Sequence, residues 1–178
     1  MTESPQLETT GPRLPRLLEA LLFAAGRTIT AEELATAAEV DVAAVEAAVA
    51  AVELALTGRG VQLLRVAGGF RLVTRPEFAE AVRRLLQPPP AKLTPARLET
   101  LAVVAYRQPV TRAEIEAIRG VDCAATVRAL LDLGLVELRS RRKDKPGRPW
   151  QYGTTARFLE EFGLDGLHDL PRIEEVSA

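Results

Sequence analysis

Apolar residues recur at helical spacing in some stretches of the chain and alternate in others, and the same order of stretches occurs twice. Residues 17–25 are apolar and helical in pattern, followed by Gly26-Arg27-Thr28-Ile29-Thr30 and Ala31-Glu32-Glu33-Leu34. Residues 98–106 have the same character, followed by Arg107-Gln108-Pro109-Val110-Thr111 and Arg112-Ala113-Glu114-Ile115. An offset of 81 positions brings Ile29 onto Val110, Thr30 onto Thr111, Glu33 onto Glu114, Leu34 onto Ile115 and Asp41 onto Asp122. Thr30 with Glu33, and Thr111 with Glu114, each have the spacing of a capping box, in which hydroxyl and carboxylate satisfy reciprocal orphan amides at a helix start. Asp41 and Asp122 predict a second cap, one helix further on.

Each copy continues in the same way. Residues 42–56 predict a helix with Val42, Val45, Val49, Val52 and Leu56 on one stripe, and residues 123–133 its counterpart with Val127, Leu130 and Leu131. Segments 61–66 and 70–74 flank Ala67-Gly68-Gly69, a hairpin signal, while 135–139 and 151–154 flank a longer basic loop. Closing helices are expected over 77–86 with Phe78 and 156–162 with Phe158. Three short helices, a hairpin and a closing helix make a winged helix-turn-helix, so the fold class is mainly α with small β wings (α+β), two such domains in tandem. Gln87-Pro88-Pro89-Pro90 lies between the copies and cannot be helical, because proline lacks the amide donor and clashes with the preceding turn. The expected organisation is a disordered segment 1–13, a first domain 14–86, a stiff Pro-rich linker 87–94, a second domain 95–163 and a tail 164–178.

Composition narrows the chemistry. With 47% hydrophobic, 26% charged and only 4% aromatic residues, any core is one of Leu, Val and Ala. The net charge of −1 gives the whole molecule no strong attraction to phosphate, so nucleic-acid contact would have to come from a local patch. Cys123 is the single cysteine and His168 the single histidine, which excludes an intrachain disulfide framework and a zinc site of the usual Cys/His kind. These two fall in different segments, and neither a phosphate-cradling glycine loop nor clustered carboxylates accompany them; the chain reads as non-enzymatic, with no cofactor. Residues 1–11 are polar, with no apolar stretch after a basic one, and no run approaches the roughly 18 apolar residues of a membrane span. The expected location is the cytoplasm.

Ala105-Tyr106-Arg107-Gln108-Pro109-Val110-Thr111-Arg112-Ala113-Glu114-Ile115, continuing through Glu116 to Gly120 and Val121, resembles the most recognisable stretch of the segregation and condensation protein B (ScpB) family. Further resemblance lies in Arg142-Lys143-Asp144 with Pro146-Gly147-Arg148-Pro149 and Tyr152-Gly153-Thr154-Thr155, and in Gly68-Gly69-Phe70-Arg71-Leu72-Val73-Thr74-Arg75-Pro76. The resemblance implies tandem winged helices, a homodimer formed chiefly through the first domain, and binding to the kleisin ScpA, which bridges SMC ATPase heads. It also implies a nucleoid-associated role in chromosome condensation and segregation, with no catalytic residues. Two departures stand out: Cys123-Ala124-Ala125 sits where the family usually has small polar residues, and Arg139-Ser140-Arg141 makes the second wing unusually basic.

The alternative function is a winged-helix transcriptional regulator, which needs Arg, Lys, Asn or Gln on an exposed recognition helix. Residues 42–56 carry no basic residue and hold Glu46 and Glu53; residues 123–133 offer only Arg128, with Asp132 one turn later. Val45, Val49, Val52 and Leu56, flanked by alanines that permit close helix approach, are candidates for the dimer interface, although the same stripe also suits a domain core. Arg139, Arg141, Arg142, Lys143, Lys145 and Arg148 are candidates for a weak, non-specific DNA contact, or for a solvated loop. Trp150 and Tyr152, two apart on a strand, are expected to pack on the core. Tyr106 is expected to cover the core edge with its hydroxyl in solvent, and Pro109 to fix the turn; Arg107 and Arg112 are partner-binding candidates. In the tail, Leu164, Leu167, Leu170 and Ile173 recur every third residue; Leu164 and Leu167 suit a cap on the second domain, and Leu170 and Ile173 a surface completed by the kleisin.

Overall fold

A computed structural model describes residues 13–86 and 93–172. The chain divides into two compact units, Met1–Gln87 and Pro88–Ala178. Each is a winged helix of its own.

In the first unit, helices α1 (Arg13–Ala25), α2 (Ala31–Ala38) and α3 (Val42–Ala55) precede strands β1 (Val61–Val66) and β2 (Gly69–Thr74), a 3₁₀ turn at Pro76–Phe78 and helix α4 (Ala79–Leu86). Arg13 therefore opens a helix instead of ending the disordered segment expected over 1–13; residues 1–12 lie outside the described residues. Leu14, Leu18 and Leu22, four apart on α1, are buried against Leu34 of α2, Val45, Val49 and Val52 of α3, and Phe70 of β2. The strands pair antiparallel, Val61 opposite Thr74 and Val66 opposite Gly69. A third strand is reduced to one bridge, where Ile29 and Phe70 exchange backbone hydrogen bonds of 2.9 and 2.8 Å. Gly69 makes that approach feasible, since a Cβ there would stand 2.7 Å from the Ile29 carbonyl oxygen.

The second unit repeats the order with α5 (Pro95–Arg107), β3 (Val110–Thr111), α6 (Arg112–Arg119), α7 (Ala124–Asp132), β4 (Val136–Arg141), β5 (Trp150–Thr154), α8 (Ala156–Phe162) and a 3₁₀ turn at Leu167–Asp169. Its sheet has three strands in the order β3-β5-β4, with Val110 opposite Tyr152 and Leu138 opposite Tyr152 on the other side. Two residues are too few to show alternation, which is why β3 does not stand out in the hydropathy pattern although Val110 occupies the place of Ile29. Leu101, Val104, Ile115, Val127, Leu130, Leu135, Val136 and Phe158 form a separate core.

Both capping boxes form. The Glu33 amide donates to the Thr30 hydroxyl at 3.2 Å and the Thr30 amide to the Glu33 carboxylate at 2.9 Å; at Thr111 and Glu114 the distances are 3.4 and 2.9 Å. Asp41 caps α3 by accepting from the Ala44 amide at 2.6 Å. The expected equivalence of Asp122 fails, because α7 starts one residue later, behind Cys123. Asp122 accepts from the Ala124 amide at 3.1 Å, and the Cys123 amide is taken by Glu116 at 3.2 Å, so a carboxylate on the preceding helix satisfies the orphan donor instead. Of the expected linker 87–94, residues 87–92 lie outside the described residues; Thr94 is the cap of α5, accepting from the Arg97 amide at 3.4 Å.

Candidate functional site

The stripe Val45, Val49, Val52 and Leu56 suited either a dimer interface or a domain core; these side chains are 0, 2, 1 and 3% exposed and belong to the core of the first unit. In this fold they leave almost no surface for a partner to touch. The outward face of α3 is made by Ala43, Ala47, Ala50 and Leu54, spaced four, three and four apart and all exposed, with Leu54 at 75%. Leu54 falls off the valine stripe and had no place in a pattern read for the core; the alanine spacing was the available signal. The most exposed large apolar side chains among the described residues, Phe23, Leu85, Leu54 and Leu86, are all in the first unit. On the same helix Glu46 pairs with Arg65 of β1 at 3.3 Å, so the recognition-helix position presents acid and alanine rather than a base reader.

The basic residues of the second wing are largely occupied. Arg139 pairs with Glu137 at 3.0 Å and donates to the Thr154 carbonyl at 2.7 Å. Arg142 bridges Glu114 at 3.2 Å and Asp144 at 3.0 Å, and Lys145 reaches Glu114 at 2.9 Å. Glu114 thus caps α6 and clamps the wing loop at the same time. The Thr111 amide first, then the Lys145 ammonium and the Thr111 hydroxyl, hold its carboxyl at about 2, far below the ordinary 4.5. Arg141 lies over the Trp150 ring, 4.4 Å from its centroid, which leaves Trp150 41% exposed and not on the core where it was expected; Tyr152 does pack there. Arg141, Lys143 and Arg148 are the wing cations without an ion pair among the described residues, and they are the part of the DNA candidate set left available.

At the turn between α5 and α6, the Gln108 side chain donates to the Ala105 carbonyl at 3.1 Å and accepts from the Thr154 amide at 2.9 Å. Buried Gln151 adds a bond from its side-chain amide to the Pro109 carbonyl at 3.1 Å. The Gln108–Pro109 bond is cis. Gln108 lies in the stretch that carries the family resemblance, but the bonds of neither glutamine were legible in the sequence, since a lone amide side chain carries no periodicity. Arg107 and Arg112 flank this turn in solvent, Arg112 beside Glu116 at 3.4 Å. The Tyr106 hydroxyl, expected in solvent, donates to the Pro171 carbonyl at 2.6 Å. Leu164 and Leu170 are the tail residues packed on the second core, while Leu167, expected to cap it, is 43% exposed; Leu170 is thereby part of its own domain, and Ile173 lies outside the described residues.

Among the described residues no group of three His, Cys, Asp or Glu side chains is placed to hold a metal ion, and no helix is long and apolar enough to cross a membrane. Residues 16–173 match the family described as "Segregation and condensation complex subunit ScpB". The "Segregation and condensation protein B" of Syntrophotalea carbinolica is 49% identical over 92% of this chain and 84% of its own length. Among solved structures, ScpB from Mycobacterium tuberculosis is 45% identical over 85% of this chain and 95% of that one, with a TM-score of 0.40. A dimer of a ScpB N-terminal domain complexed with ScpA peptide is 30% identical over 41% of this chain and 94% of that one, with a TM-score of 0.39. On superpositions this low the assignment rests on the sequence matches, which run through both winged helices: the chain belongs to the ScpB family of segregation and condensation complex subunits.

Proposed function

We propose that the chain is a non-enzymatic accessory subunit of an SMC–kleisin complex, acting as a homodimer that binds ScpA and reaches SMC through it, in the cytoplasm at the nucleoid. The family match across both units carries this reading. In it, the first winged helix is the dimerisation module, the Pro-rich segment a linker, and the second winged helix a further partner surface. The exposed Ala43-Ala47-Ala50-Leu54 face and Phe23 support self-association through the first unit, because a monomer gains nothing by keeping large apolar side chains in water. Arg107 and Arg112 remain kleisin-binding candidates, as exposed cations at the turn that carries the family resemblance.

The transcriptional-regulator reading lacks its reader: α3 presents Glu46, and α7 presents Arg128 with no amide side chain beside it. Mixing the purified chain with a ScpA fragment, and separately with DNA, tests the choice. A stable complex with the ScpA fragment is expected, with at most a salt-sensitive, sequence-independent shift of DNA. A sequence-preferring shift and no complex would overturn it.

A further inference from the structure

The second wing sorts its charges. Glu137 and Asp144, the two acids of residues 136–150, are both paired, to Arg139 and Arg142. Arg142 and Lys145 are also drawn onto Glu114 of α6. That leaves Arg141, Lys143 and Arg148, all exposed, as the unneutralised charge of the loop. Arg148 sits at φ 44, in the left-handed region that a purely structural turn gives to glycine or asparagine. Its backbone is held on both sides: the amide donates to the Lys145 carbonyl at 3.1 Å, the carbonyl accepts from the Arg141 guanidinium at 3.3 Å, and Pro149 follows. The turn itself gains nothing from a long cation at a strained position, so the use of that side chain lies outside the loop. Trp150, the single tryptophan of the chain, stands opposite Arg141 in the β4–β5 pair. It keeps 41% of its surface in water even with the guanidinium lying on one face, whereas Tyr152, two residues on, packs against the core. A tryptophan left this open at the foot of a basic loop calls for a ligand with a flat, apolar face and negative charge.

We propose that this wing is a binding site for unpaired nucleic acid, in which Lys143 and Arg148 hold phosphates and the Trp150 ring stacks on a base. Phosphate contact alone would serve a duplex and a single strand alike. The ring decides between them, because a base can lie on an aromatic face only where it is free of its own duplex stack. A duplex would also need a helix to read its groove, and α7 offers Arg128 with Asp132 one turn later and no amide side chain. Arg141, resting on the ring, places a cation beside the stacked base. Arg142 and Lys145 take no part in binding; tied to Glu114, they hold the loop in place.

Fluorescence tests this directly, since no other tryptophan contributes to the emission. Titrating the full chain with a short oligothymidylate at low salt is expected to quench Trp150, and a duplex carrying the same number of phosphates to leave its emission nearly unchanged. By anisotropy of labelled strands, Trp150→Ala is expected to weaken binding of the oligothymidylate about five- to 150-fold, the range one stacked base sets, and to leave duplex binding as it was. Trp150→Phe, which keeps a ring, is expected to recover most of the affinity, whereas Lys143→Ala combined with Arg148→Ala should weaken both ligands. Should Trp150→Ala lose its fold, the quenching contrast and Trp150→Phe decide. No quenching by oligothymidylate, equal quenching by the duplex, or an equal loss of both ligands in a folded Trp150→Ala protein would each overturn the proposal. As no ScpA enters the measurement, any of these results would leave the proposed function standing.

Discussion

Gly69 and Glu114 show how single positions hold each wing to its helices. At Gly69 the obstacle to a side chain is the Ile29 backbone, which cannot swing aside as a flexible side chain would. Gly69→Ala is therefore expected to break the Ile29–Phe70 bridge and to destabilise the first unit by about 1–3 kcal/mol, read as a lower urea midpoint at an unchanged slope. Glu114 gives a pH prediction. Its carboxyl sits at about 2 in the fold against an ordinary 4.5, so the stability it contributes is fully present above 4.5 and is lost as pH falls toward 2. Glu114→Gln is expected to lower the melting temperature of the second unit at pH 7 and to match the unaltered protein near pH 2. Parallel curves over that interval would show that the carboxylate carries no linked stability. The Thr111–Glu114 spacing made the cap legible in the sequence; its second task was not, because Arg142 and Lys145 are 28 and 31 residues away and the pairing exists only once the wing folds back.

The elements themselves were legible where a periodic pattern was long enough. The helices, the glycine hairpin and the repeat follow from spacing alone, whereas β3, two residues long, and the start of α7, set by Glu116 from another helix, depend on contacts the linear pattern does not contain. The wing was legible as a run of charge but not as a set of partnerships. Its cations divide into those bound to Glu114, Asp144 and Glu137 and those left over, and the two groups are expected to respond differently. Replacing Lys143 and Arg148 with alanine should leave the melting temperature in place and, if the wing lies on phosphates, reduce the slope of log K against log salt by about 0.9 per contact. Arg142→Ala should instead lower stability, because it frees Asp144 and takes from Glu114 one of its two cations, leaving Lys145. A salt slope untouched by the first pair would remove the wing from any DNA contact.

At the scale of the molecule, the tandem order was legible because it is written twice, but which face each unit leaves open was not, since one helix offers two apolar faces and only packing decides between them. In α3 the valines went inward and the alanines with Leu54 stayed outside. A core position and an interface position differ in one measurable way. Val49→Ala removes buried methyl groups, at a cost on the order of 2 kcal/mol, and should lower the melting temperature by the same amount at every protein concentration. Leu54→Glu touches no core contact and places a charge on the outward face. If that face is where two copies meet, the variant should sediment as a monomer at micromolar concentration, and its melting temperature should no longer rise with concentration as that of a dimer does. A Leu54→Glu protein that stays dimeric would move the interface off α3, and a protein monomeric before any substitution would remove the dimer from the proposed function while leaving the family assignment in place.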